Sequence, residues 1–243
     1  MKVWPINAAG GARTLQRVRN RWRKLRSGLT LFGENISPEV PNDLYQAHLS
    51  IYEFFAGFCA GKRVLDVGCG AGYGTAHLAP HASSILGIDF DRRNVRYARR
   101  RFPTIPFEVA DAQSLPTTLG QFDLAVSSNV FEHLLDPAAA IASASRTAPL
   151  FLLAVPPIVD AHSLAMNDAI PYHRSNLYVT EWHSLLVRHF SHVRYYVHRA
   201  SVPLDFNDPF PSRVGPTDFT FTEIDAGRAM EEWTLTAVFV AEK

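Results

Sequence analysis

Apolar positions along this chain alternate between two rhythms. Short runs at Arg63–Val67, Ile85–Asp89, Phe107–Ala110, Phe122–Ser127 and Leu150–Val155 are flanked by turn residues and predict strands. Helical spacing fills the intervals. Asn42 or Asp43 can cap a helix carrying Leu44, Ala47, His48, Ile51, Phe54 and Phe55 on one face. Further helices are predicted near Thr75–Ala79, over Arg92–Arg101 before Pro103, over Pro137–Thr147, and over Thr180–Phe190 with Thr180 as cap and Glu181 in its first turn. Val193–Val197 and Trp233–Val240 read as two closing strands, bringing the expected total to seven. Strands separated by helices imply parallel pairing with right-handed crossovers, so the expected fold is a doubly wound α/β sheet, mostly parallel. Residues 156–179 and 200–231 read as long irregular stretches, which in a compact domain usually serve as lids or insertions.

Composition narrows the class. With 243 residues, 47% of them hydrophobic, the chain can bury a core without staples. The longest apolar run, Phe151–Val155, stops at Pro156, far short of the ~20 residues of a membrane span. Only Cys59 and Cys69 are present, too few for a disulfide framework or a four-cysteine zinc site, and a reducing, cytoplasmic setting is expected.

The net charge of +1 hides an asymmetry: residues 1–26 hold eight Lys/Arg and no acid, leaving a body of sixteen basic and twenty-three acidic residues. Leu15, Val18, Trp22 and Leu25 share one helical face there, surrounded by arginines. The natural division is therefore 1–41, a basic amphipathic helix with a loop broken by Gly28, Gly33, Pro38 and Pro41, and 42–243, the globular domain. The basic helix over 13–26 has three readings: docked on the domain or on the second subunit of a homodimer, bound to an anionic membrane or another phosphate-bearing partner, or a cleaved presequence. No apolar stretch follows the charges as a secretory signal requires. Six arginines between Arg92 and Arg101 are read as a solvated helix face; the acidic body makes nucleic acid an unexpected partner.

The chemical signal sits after the first strand. Gly68, Gly70, Gly72 and Gly74 alternate behind Val64–Val67, where a backbone without Cβ atoms can turn sharply against a ligand. In open α/β sheets nucleotides bind at this corner, and Asp89 stands 21 positions on, at the end of the second strand, where a ribose-gripping acid belongs. The dinucleotide fingerprint places its third glycine at position 73, which is Tyr73 here, and this weakens a nicotinamide reading.

Four segments in register resemble the motifs of class I S-adenosylmethionine-dependent methyltransferases: Val64–Gly72, Gly87–Phe90, Ala110–Ala112 and Phe122–Leu134. The resemblance covers residues 60–155 and implies S-adenosyl-L-methionine as cofactor. It further implies that Gly68, Gly70 and Gly72 close over the methionine part, that Asp89 takes both ribose hydroxyls, and that Phe90 packs on the adenine. Asp111 would accept from the adenine amine and the backbone of Ala112 would read the ring. Ser128 or Asn129 would sit beside the reactive sulfur, and Asp66 near the cofactor's amino group. Loop capping is the alternative role for Asp66 and Asp111.

A hydroxyl acceptor must also lose a proton, which asks for a base near the methyl group. His133, after the fourth strand, and His173, in the loop after the fifth, are the candidates, beside transfer by alignment alone. Enzymes of ubiquinone synthesis and small-RNA 2′-O-methylation resemble the segment around His133 but carry Glu-x-x-Glu-His, which holds a divalent cation. Asn129 replaces the first carboxylate here, so no metal is expected. Pro171–Arg174 with Tyr178–Trp182 resembles a signature of small-molecule methyltransferases. Gly33–Val40 followed by Asn42–His48 resembles the N-terminal lid of bacterial methyltransferases that accompany glycan synthesis; Tyr45 and His48, one turn apart, could reach the cofactor or the acceptor. The expected acceptor is a hydroxyl of a small molecule or a sugar, lipid-linked glycans included. The alternatives are a quinone-precursor or natural-product phenol, and a non-catalytic cofactor-binding subunit.

Overall fold

The structure is a computed structural model that describes residues 41–206, 211–228 and 232–243. The basic helix and most of the loop expected over 1–41 lie outside the described residues.

Eight strands form one sheet: β1 (Arg63–Val67), β2 (Ser84–Asp89), β3 (Phe107–Val109), β4 (Leu124–Ser128), β5 (Leu150–Val155), β6 (His192–Ala200), β7 (Phe219–Ile224) and β8 (Ala237–Glu242). Their spatial order is β3-β2-β1-β4-β5-β8-β6-β7. The first five are parallel, and β8 runs antiparallel between β5 and β6. Six helices accompany them: α1 (Asp43–Ala56), α2 (Tyr73–Leu78), α3 (Arg92–Arg101), α4 (Pro137–Thr147), α5 (Ala161–Asp168) and α6 (Val179–Leu186). None is long and apolar enough to cross a membrane.

Period-two alternation distributes the strand side chains to two cores. Along β5, Phe151, Leu153 and Val155 face Ile141 and Ala144 of α4 and Trp182 and Leu186 of α6. Leu152 and Ala154 point to the other face, where Ile51, Tyr52 and Phe55 of α1 cover them. Both faces of β5 are thus dry, which is why its sequence is an unbroken apolar run.

The expected count of seven strands is corrected by β7. It pairs antiparallel with β6 at the sheet edge inside a stretch read as irregular. Only Phe219 and Phe221 carry its inward rhythm: Phe221 stacks on Phe54 at 4.4 Å and on His198 at 4.6 Å, while Thr220 and Glu223 stay exposed. Two apolar positions are too few to announce a strand. The other irregular stretch contains α5, a largely exposed helix with little apolar face, held by Asp160, whose carboxylate accepts from the Ser163 backbone N–H at 2.7 Å. The last strand begins at Ala237 rather than Trp233, whose ring is 65% exposed.

At the turn after β1 the glycines divide their tasks. Gly72, at the N-terminus of α2, has φ +81°, and a Cβ there would lie 2.8 Å from Ala98 and 2.9 Å from Phe107. It permits α3 and β3 to close on the turn. Gly72→Ala combines a left-handed backbone with a clash and is expected to destabilise by about 2–4 kcal/mol, read as a lowered urea midpoint. A midpoint equal to that of the unsubstituted protein would contradict the packing role.

Candidate active site

A cleft of about 420 Å³ opens over the carboxyl ends of β1, β2 and β4, the place where open parallel sheets bind ligands. Its floor is the turn Gly68–Ala71. Gly68, at φ +80°, could bear no side chain, because a Cβ would lie 2.5 Å from Val130. Asp89 ends β2, and its position is fixed from the backbone: Oδ2 accepts from Gly70 N–H at 2.9 Å, and Oδ1 from Asp91 N–H at 2.8 Å and from the Asn94 amide at 3.3 Å. Burial pushes its carboxyl upward, and these donors oppose the shift by favouring the anion. Phe90 lines one end of the cleft with its ring 71% exposed, next to Asp111, Ala112 and Gln113. The Asp111 carboxylate also accepts from Gln113 N–H at 2.9 Å, so it caps its own turn as well as facing the cleft.

The far end is formed by Ser128, Asn129 and Val130 behind β4. Asn129 adopts φ +52°, the one left-handed non-glycine among the described residues, a conformation that costs free energy and clusters at functional positions. His48 of α1 stands over it, Nδ1 to Asn129 Nδ2 at 3.4 Å, and burial lowers its pKa to about 4, leaving a neutral imidazole. Tyr45, Tyr52 and Tyr73 form an aromatic group on the same side, with Tyr73 within 5.3 Å of Tyr45 and 5.8 Å of Tyr52.

Three expected site residues, Gly72, Asp66 and His173, are not on the cleft wall. Gly72 packs away from it, as described. Asp66 is fully buried a layer below; Thr75 Oγ1 donates to its Oδ2 at 2.6 Å, and Oδ1 has no hydrogen-bond partner. Burial raises its pKa to about 7, against the opposing pull of the Thr75 and Tyr52 hydroxyls. His133 does line the cleft, whereas His173 lies behind it, ring centroid 5.0 Å from that of His133.

The histidine tautomers follow from their partners. Nδ1 of His133 is 3.1 Å from the Tyr172 carbonyl, which can only accept, so Nδ1 carries the proton and Nε2 a lone pair. Nδ1 of His173 is 2.5 Å from Asn167 Oδ1. The Asn167 amide donates to Asn176 Oδ1 at 2.6 Å, and the Asn176 amide donates to the Asp168 carboxylate. That carboxylate sets the direction of the whole series, so His173 also donates from Nδ1 and keeps its Nε2 lone pair. Burial, with His133 adjacent, lowers the His173 pKa to about 4. Ligand atoms of Glu132, His133 and His173 lie within 4.8 Å of one another, with Glu132 buried. The sequence reading expected no metal and a solvated or supporting role for Glu132. The buried carboxylate beside two imidazoles instead makes a donor set that suits a divalent cation.

A family model described as a methyltransferase domain matches residues 64–148, the segment that builds this corner. Residues 64–148 are a methyltransferase domain, and relatives that match are named S-adenosylmethionine-dependent methyltransferases. A probable S-adenosylmethionine-dependent methyltransferase of Mycolicibacterium smegmatis is 30% identical over 167 residues, covering 67% of this chain and 65% of that protein. The chain thus spans just under two thirds of that relative's length. A ubiquinone biosynthesis O-methyltransferase of Thiobacillus denitrificans is 32% identical over 92 residues, 36% of this chain and 40% of that one. Among solved structures, an S-adenosylmethionine-dependent methyltransferase of Thermotoga maritima matches with a TM-score of 0.61 over 82% of this chain and 90% of that one, at 16% identity, a likeness of fold. Within this methyltransferase fold, sequence reasoning did not pick out Tyr52, Asn94, Gln113 or Leu135 as cleft-lining residues. They sit outside the motifs, and only the spacing of Tyr52 one turn after His48 on α1 could have pointed to one of them.

Proposed function

We propose that the protein transfers a methyl group from S-adenosylmethionine to a hydroxyl of a small molecule or a sugar, a lipid-linked glycan included. The observation that carries this reading is one cleft joining the Asp89-anchored glycine corner to the His133 imidazole, whose Nε2 makes no hydrogen bond among the described residues and lies 3.9 Å from the buried Glu132 carboxylate. The residues fit the cofactor. Asp89 keeps lone pairs for a ribose diol after its three bonds, Phe90 offers a flat apolar surface for the adenine, and Ala112 and Asp111 flank it. A dinucleotide fits less well, since no lysine or arginine lines the glycine corner to meet a pyrophosphate and Tyr73 stands where a glycine is needed. When bound, S-adenosylmethionine supplies a methyl group on a positively charged sulfur, ready for in-line displacement. Ser128, Asn129 and Val130 then shape the methyl end of the cleft, and His133 Nε2 takes the acceptor's proton while Tyr172 holds its ring.

His133→Ala is expected to lower kcat by about 100-fold, within the usual range for a lost general base, and to leave cofactor affinity within twofold. Release of S-adenosylhomocysteine over a panel of hydroxylated acceptors measures the first quantity and calorimetry the second. Absence of turnover with every acceptor, despite tight cofactor binding, would favour a non-catalytic binding subunit.

A second reading rests on the Glu132–His133–His173 cluster. In it both Nε2 lone pairs and the carboxylate hold a divalent cation, each imidazole steadied through Nδ1 by an oxygen acceptor, as metal-bound histidines usually are. The cation would then bind and acidify the acceptor hydroxyl in place of a free base. Dialysis against EDTA separates the two: unchanged turnover supports the free imidazole, and loss that manganese or zinc restores supports the cluster.

A further inference from the structure

The outer wall of the cleft is built by two loops stapled together. The Glu132 carbonyl accepts from Arg174 N–H at 2.7 Å and from Ser175 N–H at 2.9 Å, Ser175 Oγ donates to the Leu134 carbonyl at 2.6 Å, and His133 donates to the Tyr172 carbonyl at 3.1 Å. The turn after β4 thereby fixes where the segment following α5 presents its side chains. Two large apolar groups are left in the open at this mouth, Leu135 at 82% exposure and Tyr172 at 51%. Apolar surface clustered at the rim of a polar cleft marks a ligand-contact surface.

Arg174 stands among them and is the one lysine or arginine lining the cleft. The Arg174 guanidinium makes no ion pair with a carboxylate of the described residues, unlike Arg93, Arg194, Arg199 and Arg228, and other arginines without one, such as those of α3, lie off the cleft wall. The acids of the cleft, Asp89 and Asp111, belong to its cofactor end and are engaged with backbone N–H groups there. A guanidinium fork matches the two oxygens of a carboxylate or phosphate, and an ammonium would not reproduce that bidentate contact.

We propose that the acceptor carries an anionic oxygen group, carboxylate or phosphate, on an apolar body, and that Arg174 determines this specificity by pairing with the anion while Leu135 and Tyr172 cover the body. This deepens the methyltransferase reading and rests on it for the role of the ligand.

The test uses the full chain saturated with S-adenosylhomocysteine and three probes: 3-phenylpropionate, phenyl phosphate and the neutral 3-phenylpropanol. Ligand-detected NMR or calorimetry should give at least tenfold tighter binding for an anion than for the alcohol, and the better of the two anions identifies the group. In Arg174→Leu the gap should close to within twofold, and Arg174→Lys should retain part of it; thermal melting checks that each variant is folded. Equal binding of anion and alcohol to the unsubstituted protein would overturn the proposal, as would a gap that persists in Arg174→Leu because the arginines of α3 supply it. If S-adenosylhomocysteine itself does not bind, the methyltransferase reading fails, and that outcome is distinct from binding without discrimination among the probes.

Discussion

Asp89→Ala should weaken binding of S-adenosylmethionine and S-adenosylhomocysteine by one to two orders of magnitude. A hydrogen bond to a charged acceptor contributes about 1.5–3 kcal/mol, which corresponds to roughly 10- to 150-fold in affinity. Two effects act in the same direction. The substitution removes the acceptor for a ribose diol, and it also releases the corner, because Gly70 N–H and Asp91 N–H lose their partner. Asp89→Asn removes the charge but keeps an oxygen for only one of the two backbone donors, and should fall between the alanine variant and the unsubstituted protein. Calorimetric titration reads all three. An alanine variant that binds within twofold of the unsubstituted protein would show that the nucleoside is held elsewhere, and the functional reading would go with it.

That Asp89 is legible in the sequence, and Arg174 as a binding residue is not, reflects what each signal consists of. Asp89 ends a strand whose periodicity is visible, at a fixed interval from a glycine-rich turn, and the parallel sheet converts that interval into proximity through the pairing of Asp66 with Gly87 and Val67 with Ile88. Local sequence and topology therefore carry the cofactor end together. The acceptor end is assembled from loops after β4 and α5, joined by contacts across 39 to 43 positions to backbone carbonyls whose bonding no side-chain pattern announces. The tautomer of His173 depends on Asn167, Asn176 and Asp168, three polar residues unremarkable as sequence. The glycines illustrate the same limit: Gly68 and Gly72 look alike in the motif, yet one meets Val130 beside the cleft and the other meets Ala98 and Phe107 in the core. Similarly, β7 is hard to read in the sequence because only Phe219, Phe221 and Ile224 of its six residues are apolar.

The dependence of stability on pH gives a separate test of the buried charges under the cleft. Burial raises the folded pKa of Asp66 to about 7, above its unfolded value near 4, so the folded state holds that proton more tightly. Its contribution to stability is fully present below pH ~4, is lost at up to ~1.4 kcal/mol per unit as pH rises, and is gone above pH ~7, about 4 kcal/mol in all. His198 acts with the opposite sign. Fully buried, with Nε2 2.9 Å from Ser50 Oγ, it has a pKa lowered to about 3, so its contribution is present above pH ~6.5 and lost as pH falls. The two nearly cancel over the same window. His48, lowered to about 4, tips the balance, and net stability should decline as pH falls from 6.5 to 4. Asp66→Asn removes the opposing member, so its decline should be steeper: the stability difference between variant and unsubstituted protein should shift by about 3–4 kcal/mol between pH 4 and pH 8, in favour of the variant at the higher pH. Urea unfolding at several pH values measures that difference, and the offset from exchanging carboxyl for amide drops out of the comparison because it does not vary with pH. A difference that stays constant from pH 4 to pH 8 would mean that Asp66 titrates as it does in water and that the floor of the cleft is wet.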